Sequence, residues 1–121
     1  MNIRLKATRY EPTPLMVEQV NKKVNALERF IDETSAEASA SVELERAVGS
    51  KHKGDVWRAE LHVVHEGKEF RAESTKTELE NAFTTVVRDV ARELAREHKK
   101  RERIARKGSS IVKSFLQGFG K

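Results

Sequence analysis

Cysteine is absent from this chain. That excludes disulfides, thiolate metal sites and thiol catalysis. Long apolar runs are also missing. The first 25 residues hold nothing resembling a signal peptide, and no segment has the length and hydrophobicity of a membrane span. These absences place the expected setting in the cytoplasm, with no membrane partner. Hydrophobic residues make up only 37% of the 121 positions and charged residues 36%, so the core must be small and the surface ionic. A mean hydropathy of -0.68 is in the range of unfolded chains. The apolar residues nevertheless recur at strand and helix periods, and that argues for one folded domain.

The motifs of chemistry are missing as well. No glycine-rich loop follows a strand, since Gly-x-Gly occurs only in the terminal GFGK. Of the four histidines, His62 and His65 lie three apart on or beside a strand and point to opposite faces. His52 falls in a loop and His98 far along a helix, so no metal site assembles. No nucleophile, base and orienting group come together, which reads as a protein that is not an enzyme, with no cofactor and no small-molecule substrate.

What is present is periodicity. NIRLKATR (2–9) alternates, with Ile3, Leu5 and Ala7 on one side and Arg4, Lys6 and Thr8 on the other. EPTP ends that strand; Thr13 is placed to cap a helix with Pro14 at its first position. The helix runs to about Phe30, with Met16, Val17, Val20, Val24, Leu27 and Ile31 inside an arc of about 100°. Lys22, Asn25, Ala26 and Arg29 lie opposite. AEASASVELE (36–45) alternates with Ala36, Ala38, Ala40, Val42 and Leu44 on one face. RAVGSKHKGD is a polar loop, and VWRAELHVV a third strand with Trp57, Ala59, Leu61 and Val63 inward. His65 to Lys68 forms a hairpin turn. EFRAES is a fourth strand with Phe70 and Ala72 inward, and Trp57, Phe70 and Phe83 are expected in the core. Thr75 opens T-K-T-E, a capping box with Glu78, before a second helix that Gly108 and two serines end after Lys107.

The order β-α-β-β-β-α, with one charged and one apolar face per strand, predicts an α+β two-layer sandwich. A four-stranded sheet has both helices on one face, the first two strands parallel and the last three an antiparallel meander. Residues 1–107 form the domain and 108–121 a short C-terminal tail. In that tail Ile111, Phe115 and Leu116 either make an amphipathic turn or remain disordered.

Charge is distributed unevenly. RELAREHKKRERIARK (92–107) holds eight of the 24 basic residues and three of the 19 acidic ones, so the rest of the chain is neutral and the whole excess of +5 lies here. On a helical wheel Leu79, Phe83, Val86, Val90 and Leu94 cluster on one side. Arg88, Arg92, Arg96, Lys99, Arg103 and Arg106 fall on the other, and after Arg88 no acid shares their arc. Asp89, Glu93 and Glu97 sit between. The apolar stripe stops near Leu94 while the helix continues, projecting roughly 20 Å past its core contacts at 1.5 Å per residue.

A solvated face is the ordinary meaning of such a helix, and Glu97–Arg101 and Glu102–Arg106 at i,i+4 would support it. Against it, Arg88, Arg92 and Arg96 form a like-charge ladder, and five of the six stripe residues are Arg, whose planar fork suits phosphate. A phosphate-binding stripe is the better reading, extended by Lys22, Lys23 and Arg29 and by Lys51 and Lys53 in the loop. The sheet's exposed face carries Arg4, Lys6, Glu43, Glu45, Arg58, Glu60, Arg71 and Glu73 without aromatics, so bases have nothing there to stack on.

The element order and length, with MNIRLKATRYEPTPLMVEQVNKKVNALERF, KHKGDVWRAELHV and STKTELENAFTTVVRDVARELAREHKKR, resemble the ribosome hibernation-promoting factors and ribosome-associated inhibitors over about residues 1–107. The resemblance implies a fold like the double-stranded RNA-binding domain. It implies docking on the small ribosomal subunit between head and body, over the A and P sites, where mRNA and tRNA otherwise bind. It implies that idle ribosomes are silenced by occupancy of that channel. The implied partner is 16S rRNA, with small-subunit ribosomal proteins beside it, and the protein is monomeric off the ribosome. The matching contact residues are Lys22, Lys23 and Arg29 on the first helix, with Arg88, Arg92, Arg96, Lys99, Lys100 and Arg103 on the second. Long members carry a further dimerisation domain that this sequence does not show, and SIVKSFLQGFGK is basic and apolar where the inhibitor subgroup has an acidic extension. Whether ribosome pairing is promoted or prevented therefore stays open. Two other readings also stay open: a free-standing double-stranded RNA binder or RNA chaperone, and a protein-interaction scaffold.

Overall fold

The computed structural model describes residues 1–31, 38–47 and 56–119, with side chains as far as Gly108. Strand β1 (Asn2–Thr8) leads to helix α1 (Pro14–Asn25) and a 3₁₀ turn over Ala26–Phe30. Strands β2 (Ser39–Ala47), β3 (Val56–His65) and β4 (Lys68–Lys76) follow, then helix α2 (Leu79–Phe119). The sheet order is β1-β2-β3-β4, with β1 parallel to β2 and the other pairs antiparallel. Architecture and strand directions are those expected from the sequence.

The first helix starts as its chemistry dictates. Thr13 is extended (φ -72°, ψ 156°) and its Oγ1 accepts from the Met16 N–H at 3.1 Å, with Pro14 next in line. Met16, Val20, Val24 and Leu27 are buried, whereas Val17 is 36% exposed, at the edge of the predicted arc. The chain tightens to 3₁₀ geometry from Ala26, which keeps Leu27 inward.

Three local expectations are corrected. Thr75 is not a helix cap. It pairs with Arg58, as Lys76 does with Trp57, so β4 runs on past EFRAES because the ladder to β3 is available. The helix begins at Leu79, with the Glu78 carbonyl accepting from the Ala82 N–H at 3.1 Å. Nor does Gly108 stop α2, whose backbone continues to Phe119; one glycine in a helix costs only about 1 kcal/mol relative to alanine. Trp57 is half-buried rather than core, its ring meeting Tyr10 edge-on at 5.0 Å and 82°. Phe70 and Phe83 are buried as expected. Ala36 and most of the 46–55 loop, including Lys51 and Lys53, lie outside the described residues, while Arg46 and Ala47 belong to β2.

The hairpin register His65↔Lys68 leaves two residues in the turn, Glu66 (φ 52°) and Gly67 (φ 76°). Positive φ at both is the type I′ geometry that matches strand twist. Ala59, Leu61, Val63 and His65 of β3 face the helices, and His62 faces away, so the two histidines lie on opposite sides.

On the outer face Arg58 gathers four carboxylates: Glu43 at 2.8 Å, Glu45 at 2.9 Å, Glu60 at 3.1 Å and Glu73 at 3.4 Å. Its guanidinium is held above its ordinary pKa first by the hydrogen bond with Glu45. The same bond, aided by the charges of Arg58 and Arg9, holds the Glu45 carboxyl below the usual range.

Two predictions follow from this geometry. A carboxyl with a depressed pKa binds its proton less tightly folded than unfolded, so its stabilisation is complete above the ordinary glutamate range and lost as pH falls through the folded value. Melting temperature should therefore fall as pH is lowered from about 6 to about 3, and Arg58→Met should flatten that dependence and narrow its gap to the parent chain in acid. The glycines should respond with opposite signs, since a Cβ would meet nothing within 4 Å at either. Gly67→Ala should destabilise by about 1–2 kcal/mol through its positive φ. Gly108→Ala should raise the helix signal in far-UV circular dichroism.

Candidate nucleic-acid interface

Helix α2 is oriented by what it must bury. Ala82, Phe83, Val86, Val90 and Leu94 are at most 1% exposed against the sheet. The residues opposite are thereby turned to solvent, and Arg88, Arg92, Arg96, Lys99, Lys100, Arg103 and Arg106 are all exposed. Within this stripe Arg88 has a loose contact to Asp89 at 3.9 Å. Arg92, Arg96, Lys99, Arg103 and Arg106 form no ion pair with any described residue. Arg96, Lys99, Arg103 and Arg106, with Glu102 at the side, line a shallow groove of about 450 Å³.

The i,i+4 pairs that would have neutralised this face do not form. Glu97 is hydrogen-bonded to Lys68 at the start of β4, and Glu102 lies 3.1 Å from His98 Nε2 one turn back. That bond to Lys68, with the charges of Lys68, Lys100 and Arg101, holds the Glu97 carboxyl below the usual range. Arg101 turns inward: Nη2 donates to the Phe30 carbonyl at 3.2 Å and Nη1 lies 3.6 Å from Glu66. The acids are thus engaged by residues off the stripe, and the stripe's own cations are left uncompensated.

Arg101 also revises the expected projection. The helix stays attached to the domain for about two turns beyond Leu94, through Lys68–Glu97, Glu66–Arg101 and Arg101–Phe30. These contacts join residues 29 to 71 positions apart in sequence, and helical periodicity alone carries no sign of them.

The first helix meets this surface at two points. Lys23 Nζ donates to Thr84 Oγ1 at 3.3 Å and lies 6.0 Å from the Phe83 ring centre, one turn before Arg88. Arg29 spreads over the Phe30 ring at 4.6 Å, beside the carbonyl that Arg101 holds. Lys22 is exposed next to Lys23 and forms no hydrogen bond or ion pair with any described residue. Lys23 therefore touches α2 near its start, Arg29 packs on Phe30, whose carbonyl Arg101 holds, and the nine sequence-selected residues are all exposed. No helix of the described residues is long and apolar enough to cross a membrane, and these residues contain no group of three or more His, Asp or Glu suited to a metal ion.

Comparison with known proteins bears on this geometry. The family model described as sigma 54 modulation protein / S30EA ribosomal protein matches residues 3–102. The crystal structure of the Protein Y N-terminal domain from Thermus thermophilus is similar at 30% identity with a TM-score of 0.66, over 79% of this chain and 98% of that one. A ribosomal subunit interface protein from Coxiella burnetii shares the fold at 12% identity with a TM-score of 0.61, over 80% of this chain and 97% of its own. No curated protein matches the chain. Matched from Ile3 in β1 to Glu102 on the outer part of α2, the chain belongs to the sigma 54 modulation protein / S30EA ribosomal protein family.

Proposed function

We propose that this protein is a ribosome hibernation factor that silences translation by occupying the small ribosomal subunit. The contact is made by the basic face of α2, with Lys22 and Lys23 of α1 and Arg29 of the 3₁₀ turn beside it. The observation that carries the reading is the α2 face itself, where six exposed cations from Arg88 to Arg106 have no carboxylate in their arc and five are arginines. The two i,i+4 pairs that would bring acids toward this face, Glu97–Arg101 and Glu102–Arg106, are not formed: Glu97 bonds to Lys68 on β4, and Glu102 sits against His98 one turn back on α2.

The family supports a ribosomal partner, and the relative from Coxiella burnetii is described as a ribosomal subunit interface protein. The finer reading is that the chain lies in the channel between head and body, over the A and P sites, against 16S rRNA and neighbouring small-subunit proteins. A helix face of fixed Arg and Lys spacing reads the backbone of folded RNA by shape and charge, without sequence. Inhibition then needs no chemical step, because an occupied channel admits neither mRNA nor tRNA. The protein acts in the cytoplasm, as a monomer before it binds.

Arg92→Glu combined with Arg96→Glu should abolish cosedimentation with small subunits while leaving the melting temperature within about 5 °C of the parent, since exposed substitutions change stability by only about 0.5 kcal/mol each. Undiminished binding by that variant would contradict the reading. For the parent chain, five to eight phosphate contacts imply a log–log salt slope of about -3.5 to -7. Equal affinity for generic duplex RNA and for small subunits would favour the free-standing RNA binder instead.

A further inference from the structure

The outer face of the sheet carries a second cationic feature. Strand register places Arg4, Ser41, His62 and Arg71 in one row across β1, β2, β3 and β4. At about 4.8 Å per strand the row spans about 14 Å. It has no carboxylate, and the short Ser41 leaves a depression of about 520 Å³ between the longer side chains, edged by Lys6, Glu43 and Glu60.

The bordering acids are already engaged. Glu43, Glu45, Glu60 and Glu73 converge on Arg58, four residues further along β3 from His62. Arg4 and Lys6 on the edge strand form no ion pair with any described residue. At the other end Arg71 faces Glu60 at 3.6 Å and His62 faces Glu69 at 3.5 Å. Both distances exceed the roughly 2.7–2.9 Å of a charge-assisted hydrogen bond, so an incoming anion can displace them. Arg58 thus draws negative charge to one end of the sheet and leaves the row net positive.

The geometry points to a second RNA-binding site on this face, taking the phosphodiester backbone of a single strand laid across Arg4, Ser41, His62 and Arg71. Phosphate is the matching chemistry, with guanidinium groups at both ends and a hydroxyl and an imidazole between. A polymer fits better than a small phosphate compound, because the cations are too far apart for one phosphate and no wall encloses the depression. Base stacking plays no part, since outward positions of the strands hold no Phe, Tyr or Trp. With the helices against one RNA segment and the sheet against another, the domain is gripped from both sides. This two-sided arrangement rests on the rRNA reading above; the sheet site is tested separately.

The test uses the full chain labelled with ¹⁵N. Titration with a short single-stranded oligouridylate should shift the amides of Arg4, Ser41, His62 and Arg71, and Arg4→Ser with Arg71→Ser should remove those shifts without unfolding the domain. Arg92→Glu with Arg96→Glu should keep them. In small-subunit binding the sheet variant should make the log–log salt slope shallower by about 1.4 to 1.8, the value of two phosphate contacts. Shifts confined to helix residues, or equal shifts with inorganic phosphate at the same phosphate concentration, would overturn the proposal. If the parent chain failed to bind small subunits, the ribosomal reading would fall while the oligouridylate titration still decided the sheet site.

Discussion

One constraint organises this molecule: α2 has a single apolar stripe, and the sheet is the surface available to bury it. Ala82, Phe83, Val86, Val90 and Leu94 meet β3 and β4. Truncating a buried leucine or phenylalanine of this kind costs roughly 2–5 kcal/mol, a large share of a small domain's stability of about 5–15 kcal/mol. The helix therefore cannot rotate about its axis without losing much of that stability. Because it cannot rotate, the arc from Arg88 to Arg106 faces outward. The proposed RNA-binding surface is thus the complement of the core.

The same economy governs the acids. Lys68 takes Glu97, His98 takes Glu102, and Arg101 leaves the stripe to fasten α2 to Phe30 and Glu66. On the far side Arg58 gathers four carboxylates. Exposed ion pairs contribute little to stability, with a median of about 0–1 kcal/mol each. Their larger consequence is where they leave charge unmatched: along one helix face, and at Arg4 and Lys6 on the edge strand of the sheet.

Much of this was legible in the residues themselves. Alternation in NIRLKAT and the Thr13-Pro14 pair identify β1 and the start of α1, because both signals are local. The basic arc was legible because helix periodicity is regular. Signals that compete were less so. T-K-T-E has the form of a capping box, yet Thr75 and Lys76 have partners in β3 and extend the strand. Gly108 resembles a stop, but no chain reversal follows to turn its low helix propensity into a break. Trp57 fits the inward pattern of β3, but near the strand's end it is covered only in part, with Tyr10 edge-on to its ring. The Arg101 clasp and the Arg58 cluster join residues distant in sequence, and no spacing announces them.

Membership of the sigma 54 modulation protein / S30EA ribosomal protein family supports a ribosomal partner, and the one-sided charge of α2 supports the surface proposed to meet it. The central claim, that this surface is what meets ribosomal RNA, is tested most directly by acylating lysines on the free protein and on its complex with small subunits, with mass spectrometry locating the adducts. The account predicts that Lys22, Lys23, Lys99 and Lys100 become strongly shielded while Lys76, at the end of β4, stays reactive. Helix lysines that react as readily in the complex as in the free protein would contradict it.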